Sequence, residues 1–79
     1  MVTNGQLYLL NTWLKENGVA GVRVGASKNK NFGYVFGLYE INQNDKRKKF
    51  IYRTPDFDMM ARKIANVYGI VPPAVWNIQ

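Results

Sequence analysis

The sequence predicts an α+β domain, a three-stranded antiparallel sheet with helices packed on one face. The order is α-β-β-β-α plus an extended C-terminal tail. Three observations predict it. Apolar residues recur at helical spacing in two segments, one near each end of the chain. Between them, three runs alternate with the period of two that marks strands. The polar stretch NQNDKRK joins the last two runs as an antiparallel hairpin.

Taken in order, Thr3 and Gln6 have capping-box spacing ahead of Leu7, Leu10, Trp13 and Leu14, and Asn17-Gly18 supplies a stop, so a helix is expected over 4–17. Val22 and Val24 alternate with Gly21, Arg23 and Gly25 in a strand over 19–26. After the polar turn SKNKN, Phe32, Tyr34, Phe36 and Leu38 alternate with Gly33, Val35, Gly37 and Tyr39 in a second strand over 32–41. A third is expected over 48–53. Thr54 suits an N-cap and Pro55 the first helical position, and Asp56 and Asp58 fall where the helix dipole favours negative charge. Phe57, Met60, Ala61, Ile64, Ala65 and Tyr68 then form a helical stripe closed by Gly69, which predicts a helix over 56–68. Pro72-Pro73 forces an extended tail over 70–79, a short edge strand or a docked segment anchored by Trp76.

Seventy-nine residues make a single domain, 1–79, with a small core. At 47% hydrophobic and 14% aromatic, the chain has enough apolar surface to fold alone. It has no cysteine, which excludes thiolate chemistry and disulfides, and no histidine, the commonest general base and metal ligand. No catalytic residue, metal site or cofactor is predicted. MVTNGQ has no basic opening and no long apolar run follows, so neither a signal peptide nor a membrane partner is expected and a cytoplasmic location is.

The formal charge is +6, and residues 28–53 hold seven of the eleven basic residues against two of the five acidic ones. A basic segment lying on strands and loops suits a polyanion, nucleic acid before lipid. Strict alternation puts Val22, Val24, Phe32, Tyr34, Phe36, Leu38, Phe50 and Tyr52 under the helices. The opposite face is then thinned by glycine and carries Arg23, Lys49 and Arg53 with Val35, Tyr39 and Ile51. A slim face of this kind fits a major groove. The predicted nucleic-acid contacts are Arg23, Lys28, Lys30, Tyr39, Lys46, Arg47, Lys48, Lys49 and Arg53.

GVAGVRV at 18–24 and TPDFDMMARKIANVYG at 54–69 resemble the opening strand and closing helix of the Apetala-two/ethylene-response-factor type of DNA-binding domain, a module also found in phage and mobile-element proteins. The resemblance covers about residues 18–69 and implies three strands entering the major groove, with Arg23, Lys49 and Arg53 as contacts. FIYRTPDF stands where that family has Leu-Gly-x-Phe, and the first helix has no counterpart. The whole helix-strand order, and LLNTWLKENG, resemble the double-stranded-RNA-binding domain. That domain opens its second helix with lysines, where this chain has Asp56 and Asp58. KNFGYVFG is similar to the octapeptide of RNA-recognition motifs and to cold-shock strands, but LYLLNT lies too close before it to complete the former. GLY at 37–39 and FIY at 50–52 are spaced like the halves of a GIY-YIG nuclease, yet no glutamate follows Glu40 to hold its metal.

The expectation is a non-enzymatic accessory or regulatory factor that binds duplex DNA in preference to RNA. The competing expectation is a phage-type inhibitor whose basic face grips an acidic or nucleic-acid-binding host protein. Tyr8, Trp13 and Trp76 could also build a homodimer contact.

Overall fold

The computed structural model describes residues 2–41 and 49–78. Its element order is α1 (Asn4–Glu16), β1 (Val22–Asn29), β2 (Gly33–Glu40), β3 (Lys49–Thr54), α2 (Phe57–Tyr68) and one 3₁₀ turn (Ala74–Trp76). The strands form an antiparallel meander in the order β1-β2-β3. The predicted α+β class and α-β-β-β-α order are those of the structure.

The capping box forms as its spacing predicts. The Gln6 amide donates to Thr3 Oγ1 and the Thr3 amide to Gln6 Oε1, both at 3.1 Å. Gly18, at φ 71°, takes the left-handed turn after α1, and Gly69, at φ 65°, does the same after α2. At the start of α2 the cap is Asp56, not Thr54: the Asp56 carboxylate accepts from the Asp58 amide at 3.0 Å. Thr54 is the last residue of β3, paired with Phe36, and its hydroxyl accepts from the Asp56 amide at 3.2 Å. A residue fixed in the sheet ladder cannot also lead the helix, so the cap moves two residues on, from Thr54 to Asp56, and Pro55 falls outside the helix.

β1 begins later and ends later than alternation predicts. Val19 lies just beyond α1 and is tied back to it, its amide donating to Leu14 O at 3.0 Å. At the other end Lys28 and Asn29, expected in a turn, pair with Tyr34 and Gly33. Only residues 30–32 turn the chain.

Both helices cover one face of the sheet. Leu10, Trp13 and Leu14 of α1, Val24, Phe36 and Leu38 of the sheet, and Met60, Ala61 and Ile64 of α2 form one buried apolar cluster. The spacings 10, 13, 14 and 60, 61, 64 are those of one helical face, and 36, 38 that of one strand face. Burying each of the valine, leucine, isoleucine, phenylalanine and methionine side chains among them contributes about 1.5–3 kcal/mol.

The tail docks rather than adding a strand. The Trp76 ring meets Trp13 and Phe57 edge-on, each with centroids 5.2 Å apart, and Phe57 meets Phe36 at 6.0 Å. Trp13 Nε1 donates to Val71 O at 3.0 Å. Of the three residues expected at a homodimer contact, Trp13 is buried and Trp76 is partly buried against it. Tyr8 alone of the three stays exposed.

Candidate nucleic-acid interface

Among the described residues, no helix lies on the second face of the sheet. Its composition follows from the register. Arg23 pairs with Tyr39, Gly25 with Gly37, and Ser27 with Val35 across β1 and β2. Gly37 pairs with Arg53 across β2 and β3. These residues share a phase opposite to that of Val24, Phe36 and Leu38 and so face away from the core.

A β-bulge changes what β3 contributes. Leu38 pairs with Tyr52, but Tyr39 pairs with Phe50, leaving Ile51 as an extra residue on β3. An inserted residue reverses the phase of everything beyond it. Strict alternation puts Phe50 beside Tyr52 in the core; the bulge turns it onto the free face instead. Lys49 moves the other way. It sits opposite Glu40, whose phase along β2 is that of Leu38 and Phe36. Glu40 lies near Tyr68 of α2, and burial together with that carboxylate pushes the Tyr68 phenol above its ordinary value. Lys49 is therefore not on the face that presents Arg23 and Arg53.

Nor is the free face thin. A Cβ on Gly37 would come within 2.5 Å of the Phe50 ring, and one on Gly25 within 3.1 Å of Tyr39. The two glycines are the floor on which the two rings lie. Tyr39 and Phe50 meet edge-on with centroids 5.9 Å apart, and the Arg53 guanidinium lies 4.8 Å above the Phe50 ring. Val35, whose phase is that of this face, is only 2% exposed and stands outside the helix-side cluster. The result is an aromatic shelf with exposed arginines on either side: Arg23 on β1 and Arg53 on β3. Two strands across and two residues along put their Cα atoms roughly 12 Å apart, about the width of a DNA major groove.

The position of β1, and of Arg23 on it, depends on a residue that sequence reasoning missed. Asn11 of α1 donates from Nδ2 to Val24 O at 2.8 Å and to Leu7 O at 2.9 Å, and its Oδ1 accepts from the Val24 amide at 2.9 Å. The side-chain amide thus pairs with an edge strand as another strand would, and fastens it to the helix. An asparagine on a helix gives no signal of a partner thirteen residues away; only the apolar stripe around it hints that its face is turned inward.

The remaining predicted contacts are dispersed. Lys28 and Lys30 are exposed at the β1–β2 hairpin end, away from Arg23. Lys46, Arg47 and Lys48 lie outside the described residues. Alternation also predicts Phe32 and Tyr34 in the core with Phe36. Phe36 is fully buried, but Phe32 is 64% and Tyr34 59% exposed, because neither α1 nor α2 reaches that end of the hairpin. Among the described residues no cluster of acidic, cysteine or histidine side chains could hold a metal ion, and no helix is long and apolar enough to cross a membrane.

Fold and site together define a class: a small α+β sheet protein with one face closed by helices and one open face of aromatic rings and arginines. No family model, curated protein or solved structure matches the chain.

Proposed function

We propose that this protein binds duplex DNA through the open face of its sheet and acts as a non-enzymatic accessory or regulatory factor. One observation carries the reading: Arg53 is held over Phe50 on the same uncovered face that presents Arg23 opposite Tyr39. A guanidinium resting on a ring is partly immobilised before it meets a ligand, and its edge donors stay free for guanine or phosphate. A sheet face can enter the major groove, where arginine reads guanine by two parallel hydrogen bonds. The resemblance to the Apetala-two/ethylene-response-factor domain supports the same use of Arg23 and Arg53. DNA is preferred to duplex RNA because the start of α2, where an RNA-binding domain of this order aims lysines at phosphate, is capped by the Asp56 carboxylate.

Fluorescence anisotropy with the full chain, duplex DNA and duplex RNA tests this. Duplex DNA should bind more tightly than RNA. Affinity should drop roughly a hundredfold between about 50 and 200 mM salt if some four phosphates are neutralised. Arg23→Ala and Arg53→Ala should each weaken binding by about 1–3 kcal/mol. Absence of duplex binding at micromolar protein, with a stoichiometric protein partner recovered from nuclease-treated lysate, would replace this reading with the inhibitor.

A further inference from the structure

Beyond Ser27 and Val35 the β1–β2 hairpin end takes no part in the open face just described, and nothing in the core explains it. Pairing of β2 with β3 begins only at Phe36 and Thr54, whereas β1 and β2 stay paired out to Asn29 and Gly33. From Ser27 and Val35 outward the sheet is therefore a two-stranded ribbon about 10 Å long, ending in a three-residue turn. Ala26, Lys28 and Tyr34 have the phase of the helix-covered face, yet all three are exposed, so the helices stop short of the ribbon.

The ribbon tip has a defined turn and a uniform chemistry. The Asn31 amide donates to Asn29 Oδ1 at 2.8 Å, and Gly33 closes the turn at φ 79°, a conformation that favours glycine. Within KNKNFGY at 28–34 every charge is positive and both large apolar side chains are aromatic. Phe32 projects from the turn and Tyr34 stands directly across from Lys28. Leaving one such ring in water forgoes about 1.5–3 kcal/mol of burial. Exposed rings among cations, with no large aliphatic side chain in the 28–34 segment, match the requirements of a nucleobase on its phosphate backbone. The base offers a flat face for stacking and the phosphate a charge for lysine.

We propose that this tip is a second nucleic-acid contact, selective for unpaired bases: Phe32 and Tyr34 stack on base faces while Lys28 and Lys30 hold the adjoining phosphates. The proposal rests on the nucleic-acid reading above and extends it from continuous duplex to sites where a strand is single or distorted. Duplex bases, stacked on one another, offer no free face to a ring, so the tip distinguishes the two states while the open sheet face does not.

The test uses the full chain and three DNA probes: a short single strand carrying 2-aminopurine, a continuous duplex, and the same duplex with an unpaired bulge. The wild type should quench the 2-aminopurine and bind the bulged duplex more tightly than the continuous one. Phe32→Ala with Tyr34→Ala should lose roughly tenfold per ring on the single strand and on the bulge. The same pair should bind continuous duplex within about twofold of wild type, as expected for sites that do not share partners. Phe32→Leu with Tyr34→Leu, which keeps apolar bulk without a ring, should fail like the alanine pair. Phe32→Tyr with Tyr34→Phe should bind as the wild type does. Leucine variants that bind normally, or alanine variants that lose nothing, overturn the stacking tip while leaving continuous-duplex binding and its dependence on Arg23 and Arg53 in place. A wild type that binds none of the three probes overturns both readings.

Discussion

The two faces of this sheet use the same residue types for opposite ends. On the helix-covered face Phe36 is enclosed between strands and helices, touches the Phe57 ring, and is inaccessible to solvent. On the open face Phe50 is half-buried, with a glycine beneath it, a tyrosine beside it and a guanidinium above it. The first arrangement holds the fold together. The second holds an arginine in place at the surface. An aromatic residue on a strand is thus no guide to the core unless its phase is known, and in β3 that phase changes partway along.

The sharpest contrast is expected from Phe36→Ala. Emptying this site should cost about 3–5 kcal/mol, a large part of the roughly 4–12 kcal/mol expected for a domain of this length. Chemical denaturation should show a collapsed or absent transition. If Phe50→Ala proves equally damaging, the open face is part of the core and the comparison breaks down.

Asn11→Ala comes next. It leaves the outward amide and carbonyl of Val24 without their partner beside a buried cluster, at a cost of about 2–3 kcal/mol. Amide exchange should quicken along β1 before β3, and DNA affinity should drop with Arg23 still present. Exchange that quickens equally in both strands would mean that Asn11 stabilises the whole fold rather than one edge.

Gly37→Ala separates stability from site geometry. The new methyl cannot coexist with the Phe50 ring at its present position, so the ring must swing away and Arg53 loses its support. The stability change should be small, about 1 kcal/mol, since alanine also removes the strand penalty of glycine. Duplex binding should approach that of Arg53→Ala. Unchanged binding would show that the shelf does not position the arginine.

The smallest effect concerns the helix-covered side at high pH. The Tyr68 phenol is raised above 10.0 in the folded state, by burial first and by Glu40 second. The folded protein then holds that proton more tightly than the unfolded chain. The contribution is fully present below pH 10 and is lost as pH rises through the raised folded value. Tyr68→Phe should flatten this part of the alkaline decline in denaturation midpoint between about pH 9 and 11. A variant declining in parallel with wild type would remove Tyr68 from the account.

Much of the fold was legible because its signals are local. Thr3 and Gln6 announce α1 within one turn, the stripe from Phe57 to Tyr68 identifies α2, and Val24, Phe36 and Leu38 are where alternation puts them. The site was legible only in part. Arg23, Tyr39 and Arg53 share the open face as expected, since each lies in phase with its own strand. Phe50 and Lys49 exchange faces because a bulge depends on how two strands register, and FIYR contains no glycine or proline to mark one. Perfect alternation assigns Phe32 and Tyr34 to the core; what exposes them is where the helices and β3 end, which no residue in the hairpin encodes. Asn11 was invisible for the same reason, its partner being set by tertiary packing.

The extra residue in β3 also makes this strand tolerant of a one-residue loss in a way that β1 and β2 are not. Deleting Ile51 would leave Phe50 opposite Tyr39 and Lys49 opposite Glu40 in an unbroken ladder, so both faces would keep their side chains. A deletion inside β1 or β2 would instead transpose everything beyond the cut. Straightening β3 with Ile51 still in place would do the same, sending the Phe50 ring toward α2 and Lys49 onto the open face. Among relatives of this protein, the cross-strand partner of Phe50 would therefore be a better guide to a shared surface than its spacing from Arg53.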